Sequence, residues 1–146
     1  MKNERRVLFL CTGNAARSQM AEGWLRHLAA DQFTAHSAGT QPVGLNPHAV
    51  KVMQEVGINI TGHRSKSVQE FDGQPFDYVI TVCDRAKESC PIWPGASSLL
   101  HWSFEDPASA QGSEIERQVV FRRIRDQIAA RIRGFLSEVN DGQPKT

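Results

Sequence analysis

No stretch of this 146-residue chain approaches the roughly 20 apolar residues that a helix needs to cross a bilayer. Met1 to Arg6 leads straight into an apolar segment too short for a secretory signal, so a cytoplasmic protein is expected. An excess of either charge is also missing. Seventeen Lys and Arg stand against sixteen Asp and Glu, a net charge of +1 that gives no electrostatic case for a nucleic-acid or membrane partner. Cysteine is scarce and odd in number: Cys11, Cys83 and Cys90. The spacings do not suit zinc, and an odd count is no structural disulfide framework; a redox or nucleophilic role fits better. No metal spacing links the five histidines, so no metal site is expected. There is no internal repeat and no linker. Length and a 40% hydrophobic, 23% charged composition indicate one globular domain, 1–139, with 140–146 as a frayed tail.

What is present centres on residues 7 to 18. Val7 to Leu10 is continuously apolar and reads as a buried parallel strand. After Ser18, Met20, Trp24, Leu25 and Leu28 recur at helical spacing. Cys11-Thr12-Gly13-Asn14-Ala15-Ala16-Arg17-Ser18 is therefore a strand-to-helix loop. Such a loop turns backbone N–H groups inward and adds the positive end of a helix, which makes an anion cradle. Gly13 permits close approach, Asn14 tolerates a left-handed turn, and the Arg17 fork suits a tetrahedral oxyanion. No Gly-Lys-Ser/Thr follows, which excludes a nucleotide-binding P-loop. In general, a helix N-terminus and an arginine acidify a neighbouring thiol. Ser18 is placed to donate to the sulfur. Cys11 is thus expected as a nucleophile aimed at a bound oxyanion rather than as a small core residue.

Further along, Phe33–Ser37 reads as a second strand. Asn46 and Pro47 mark the start of a helix whose inner face is Ala49, Val50, Met53 and Val56, ended by Gly57. Ile58 to Ser67 is irregular, and its basic patch, His63-Arg64-Ser65-Lys66, is expected as a solvated loop rather than a wall of the cradle. Asp77–Val82 is a third strand with Cys83 at its C-terminal end, the edge where open parallel sheets bind ligands. Asp84–Pro91 is expected as a mobile helical turn. Leu99–Trp102 is a fourth strand leading to Asp106-Pro107. Asp106, held extended before proline, is expected as a general acid at the same edge. Ser113 and Glu116 form a capping box. The long helix behind it has an inner stripe of Val120, Phe121, Ile124, Ile128, Ile132 and Phe135. Arg117, Arg122, Arg123, Arg125, Arg131 and Arg133 are expected on its solvated face. Alternating strands and helices give an α/β fold, three layers around a small parallel sheet.

The cradle with Asp106-Pro107 resembles the low-molecular-weight protein tyrosine phosphatase superfamily over nearly the whole chain. Cys83, Cys90 and the segments Cys83–Pro91 and His101–Ala108 resemble its thioredoxin-coupled arsenate reductase branch. The resemblance implies a four-stranded parallel sheet in the order 2-1-3-4 and a monomer. It implies arsenate as substrate, with phosphate or sulfate competing, bound by Thr12, Gly13, Asn14, Ala15, Ala16 and Arg17. Cys11 would attack arsenic and Asp106 protonate the departing oxygen. A relay would then run from a Cys11–Cys83 to a Cys83–Cys90 disulfide, reset by thioredoxin without metal or organic cofactor. The alternative is a phosphatase working through a Cys11 phosphoenzyme. Some relatives bind potassium beside the cradle. Asn14, Glu22 and Ser37 match that ligand set, but Lys66 stands where an aspartate is expected, and its ammonium would replace the ion. Ala108 and Ser109, where tyrosine phosphatases carry aromatic residues, weaken phosphotyrosine as a substrate.

Overall fold

A computed structural model describes residues 5–84 and 96–141 of the chain. The strands are β1 (Arg5–Cys11), β2 (Phe33–Gly39), β3 (Phe76–Thr81) and β4 (Ala96–His101). The helices are α1 (Arg17–Ala29), α2 (Pro47–Glu55) and α3 (Glu114–Asp141), with short 3₁₀ turns at Val68–Phe71 and Pro107–Ser109. The strands form one parallel sheet in the order β2-β1-β3-β4, the order the resemblance implied.

β1 lies inside the sheet, which is why its apolar run is unbroken. Its side chains alternate between two faces. Val7 and Phe9 join the cluster containing Met20, Trp24 and Leu25 of α1, Val52 and Met53 of α2, and Phe121, Ile124, Ile128 and Phe135 of α3. Leu8 and Leu10 face the other way, against Phe71, Phe76 and Val79. The register brings strand ends together: Cys11 opposite Gly39, Leu10 opposite Thr81, and Thr81 opposite His101. The loops after β1, β3 and β4 therefore leave from one edge.

The local signals act as expected. Asn46 Oδ1 caps α2 by accepting from His48 N at 2.8 Å, and Gly57 follows the helix at φ 83°. Ser113 N donates to Glu116 Oε1 at 2.8 Å, and Glu116 N donates back to Ser113 Oγ at 3.1 Å. α3 runs to Asp141.

The arginine face of α3 differs from expectation. Arg125 is buried, donating to Val52 O at 2.9 Å and Glu55 Oε1 at 3.0 Å. Arg122 donates to Glu55 through both Nε and Nη2, each at 2.8 Å. Arg131 lies over the Trp102 ring and Arg133 over that of Trp24. The helix needs partners for the carbonyls and the carboxylate that α2 turns toward it. Arginine reaches them on a long apolar stem, which a periodicity count treats as polar.

Candidate active site

Cys11 ends β1, residues 12–16 form the loop, and Arg17 and Ser18 open α1. Asn14 stands at φ 48°, in the left-handed region. There its N–H donates to Cys11 Sγ at 3.2 Å. Asn14 Nδ2 donates to Ser18 Oγ at 2.7 Å, and Ser18 Oγ lies 2.9 Å from Cys11 Sγ. With one side of the hydroxyl occupied by that donor, its own proton is free to point at the sulfur. The sulfur thus takes two hydrogen bonds, one from the loop backbone and one from a side chain.

The carbonyls of the loop are tied from behind. Cys11 O accepts from Thr40 N at 3.3 Å, Thr12 O from Gln41 N at 2.9 Å, Gly13 O from Val43 N at 3.1 Å, and Ala15 O from Asn46 N at 3.0 Å. Ser65 Oγ adds a second bond to Gly13 O at 3.0 Å, and Gln19 Nε2 takes Asn14 O at 3.1 Å. With the oxygens held outward, the peptide N–H groups face inward, as an anion site requires. The close fit also demands Gly39: a Cβ there would lie 2.5 Å from Thr12 O.

Arg17 is buried, at 4% exposure, and donates to Phe104 O at 3.2 Å. Its Nη2 lies 3.8 Å from Asp106 Oδ2. Asp106 caps the 3₁₀ turn by accepting from Ala108 N at 3.0 Å. The segment 102–106 thus brings the expected acid beside the expected oxyanion ligand. Asp84, Glu105, Asp106, Ser109 and Arg123 border an open cavity of about 430 Å³ here.

Cys83 is buried two residues past β3, at the same edge as Cys11, with Val82 N donating to Leu10 O at 2.9 Å. Cys11 is a free thiol, whereas Cys83 is disulfide-bonded. Cys90 and the expected turn from Arg85 to Pro91 lie outside the described residues.

The basic patch is not the solvated loop that the sequence suggested. Lys66 N donates to Asn14 Oδ1 at 2.8 Å, and Gly39 N donates to Lys66 O at 2.8 Å. Residues 63–67 thereby form a wall of the cradle. Behind it Glu22 is buried. Ser37 Oγ donates to Glu22 Oε1 at 2.6 Å, Arg26 Nη2 pairs with Oε2 at 2.8 Å, and Lys66 Nζ stands 4.0 Å from Oε1. Lys66 Nζ also donates to Arg64 O at 2.9 Å. Burial holds the Lys66 ammonium below the usual lysine range against the pull of Glu22, and His63 likewise falls below the usual histidine value. Asn14, Glu22 and Ser37 do come together, with the Lys66 ammonium at their side.

Sequence reasoning passed over Gln19, and it weighed the wall containing Ser65 but set it aside for a solvated loop. The available signal was the polar run Arg17-Ser18-Gln19 with Glu22, on a helix start that must face the core. Among the described residues, no group of His, Cys, Asp and Glu is arranged to hold a metal ion, and no helix is long and apolar enough to cross a membrane.

Residues 6–145 match the family model described as low molecular weight phosphotyrosine protein phosphatase. An arsenate reductase of Halalkalibacterium halodurans is 44% identical over 133 residues, covering 91% of this chain and 96% of that protein. A structure described as an arsenate reductase in the phosphate binding state superposes with a TM-score of 0.78 at 32% identity, covering 94% of this chain and 98% of its own. The thioredoxin-dependent arsenate reductase of Corynebacterium glutamicum superposes with a TM-score of 0.70 at 28% identity, covering 96% of this chain and 64% of that one. With its cradle, its sheet order and these likenesses, the chain belongs to the low molecular weight phosphotyrosine protein phosphatase family and groups with its arsenate reductases.

Proposed function

We propose that the protein reduces arsenate to arsenite through Cys11, Cys83 and Cys90, and that thioredoxin resets it. The observation that carries this reading is the Cys11 sulfur, which takes hydrogen bonds from Ser18 and Asn14 at the floor of an amide-lined loop. Cys83 leaves the same sheet edge.

Arsenate enters the cradle, its oxygens held by the amides of residues 12–17 and the Arg17 fork. The Cys11 thiolate attacks arsenic. An As–O bond breaks, and Asp106 gives its proton to the departing hydroxyl, which leaves as water. The Cys83 thiolate then attacks the Cys11 sulfur. An S–S bond forms, the As–S pair returns to arsenic as a lone pair, and arsenite departs. Cys90 attacks Cys83, frees Cys11 as a thiolate and leaves a Cys83–Cys90 disulfide. An external dithiol restores the pair with two electrons and two protons. The described relatives include a thioredoxin-dependent enzyme, which supports thioredoxin as the dithiol. Phosphate and sulfate compete for the cradle because they share arsenate's shape and charge. A reducing cytoplasm suits a disulfide that forms and breaks in each turnover, and the protein acts as a monomer.

The test is arsenate-dependent NADPH oxidation with thioredoxin and its reductase. Sustained oxidation with arsenite as product is expected. Hydrolysis of an aryl phosphate without arsenite formation would point instead to a phosphatase.

A further inference from the structure

Gln19 lies in the first turn of α1 and is fully buried. Its Nε2 faces three oxygens: Asn14 O at 3.1 Å, Asn14 Oδ1 at 3.0 Å and Arg64 O at 2.9 Å. Three acceptors around one end fix the orientation of the amide, because an oxygen there would meet only oxygens. Oε1 is left facing His63 Nδ1 at 3.0 Å. As that oxygen can only accept, Nδ1 carries the histidine proton.

These contacts converge on the residue whose backbone is least comfortable. Among the described residues, Asn14 is the only non-glycine with positive φ. In that conformation its N–H points at Cys11 Sγ and its carbonyl points out of the cradle. Rotation of the peptides flanking Asn14 toward ordinary backbone angles would take that N–H off the sulfur and bring a carbonyl oxygen toward the bound anion. The chain from 40 to 46 ties the carbonyls of residues 11, 12, 13 and 15, but not that of 14. For that carbonyl, Gln19 supplies the tie.

We propose that Gln19 is a positioning residue: its carboxamide, backed by His63, holds Asn14 left-handed and keeps the loop amides turned toward the oxyanion. The inference rests on reading the cradle as an oxyanion site. It does not depend on whether the bound anion is later reduced.

Gln19→Met keeps the length of the side chain and removes its donor and its acceptor. The probe is sulfate, with its dissociation constant read from protection of Cys11 against iodoacetamide. We expect that constant to rise about tenfold, the order that one lost hydrogen bond carries. In parallel, the strong intraresidue Hα–HN Overhauser effect of Asn14, a mark of positive φ, should weaken. Sulfate affinity within twofold of the parent, with an unchanged Asn14 signal, overturns the proposal whatever happens to the melting temperature. If Gln19→Met does not fold, His63→Leu removes the backing of Oε1, together with the 3.9 Å approach of His63 Nε2 to Glu22 Oε2. It should weaken sulfate binding about threefold in the same assay, and unchanged binding there counts equally against the proposal. A parent protein that makes no arsenite would refute the proposed reduction yet leave this sulfate comparison standing.

Discussion

Ser18 stands between a donor, Asn14 Nδ2, and the Cys11 sulfur, so the polarity of that short chain is set by which atom has protons to give. If the relay is right, the three cysteines fail in three different ways. Cys11→Ser should lose both arsenite production and aryl phosphate hydrolysis. Cys83→Ser should release no arsenite while keeping slow hydrolysis. Cys90→Ser should yield one arsenite per enzyme and trap a Cys11–Cys83 bridge, visible by mass spectrometry of non-reduced peptides; continued turnover with thioredoxin would contradict the order of exchange. A second prediction concerns Lys66. Asn14 Oδ1 is already occupied by Lys66 N and Gln19 Nε2, and the Lys66 ammonium stands beside Glu22. Replacing sodium by potassium should therefore leave turnover unchanged, and a twofold rise would show that the ammonium does not stand in for the ion.

The helices hold the site by fastening to one another. α3 grips α2 through Arg125 and Arg122, and the α2 cap residue Asn46 donates to Ala15 O in the cradle. Arg125→Leu leaves Val52 O buried without this donor and Glu55 with one cation fewer. The expected cost is about 1–3 kcal/mol, read as a lower denaturation midpoint in urea. Ser113→Ala removes the accepting half of the capping box and should cost about 1 kcal/mol. Both variants should keep the parent's sulfate affinity well below their melting temperatures, because neither side chain touches the loop.

For the molecule as a whole, stability should fall on acidification in two stages. Burial holds His36 and His63 below the usual histidine value of 6.5. The unfolded chain therefore binds their protons first, and stability declines as the pH drops below about 6.5 toward the folded values. Glu55 is held below 4.5, chiefly by its hydrogen bond from Arg122. Its contribution is present above the unfolded value and is lost as the pH falls through the folded one. His36 packs between Phe71 and Phe76. His36→Phe should accordingly flatten the decline of melting temperature between pH 7 and pH 5, and an unchanged slope would assign that stage elsewhere.

Much of this architecture was readable along the chain, because its signals are local. The apolar run of β1, the Asn46-Pro47 start of α2 and the Ser113–Glu116 box each span a few residues. The cysteine, arginine and serine of the cradle are equally close in sequence. The wall at 63–67, the reach of Gln19 to Arg64 and the burial of Arg125 were not readable. Each depends on a partner 45 to 73 positions away, and neither periodicity nor propensity records such a meeting.

The ties along residues 40–46 bear on how freely the family's signature can be rewritten. Because the grip comes from peptide groups braced by a neighbouring stretch of chain, other small side chains could replace Ala15 and Ala16, and the anion would meet the same ring of donors. The vulnerable letters lie elsewhere. A proline at Gln41 or Val43 would silence a brace without altering a single atom of the signature, and would disarm a cradle whose motif still looks intact.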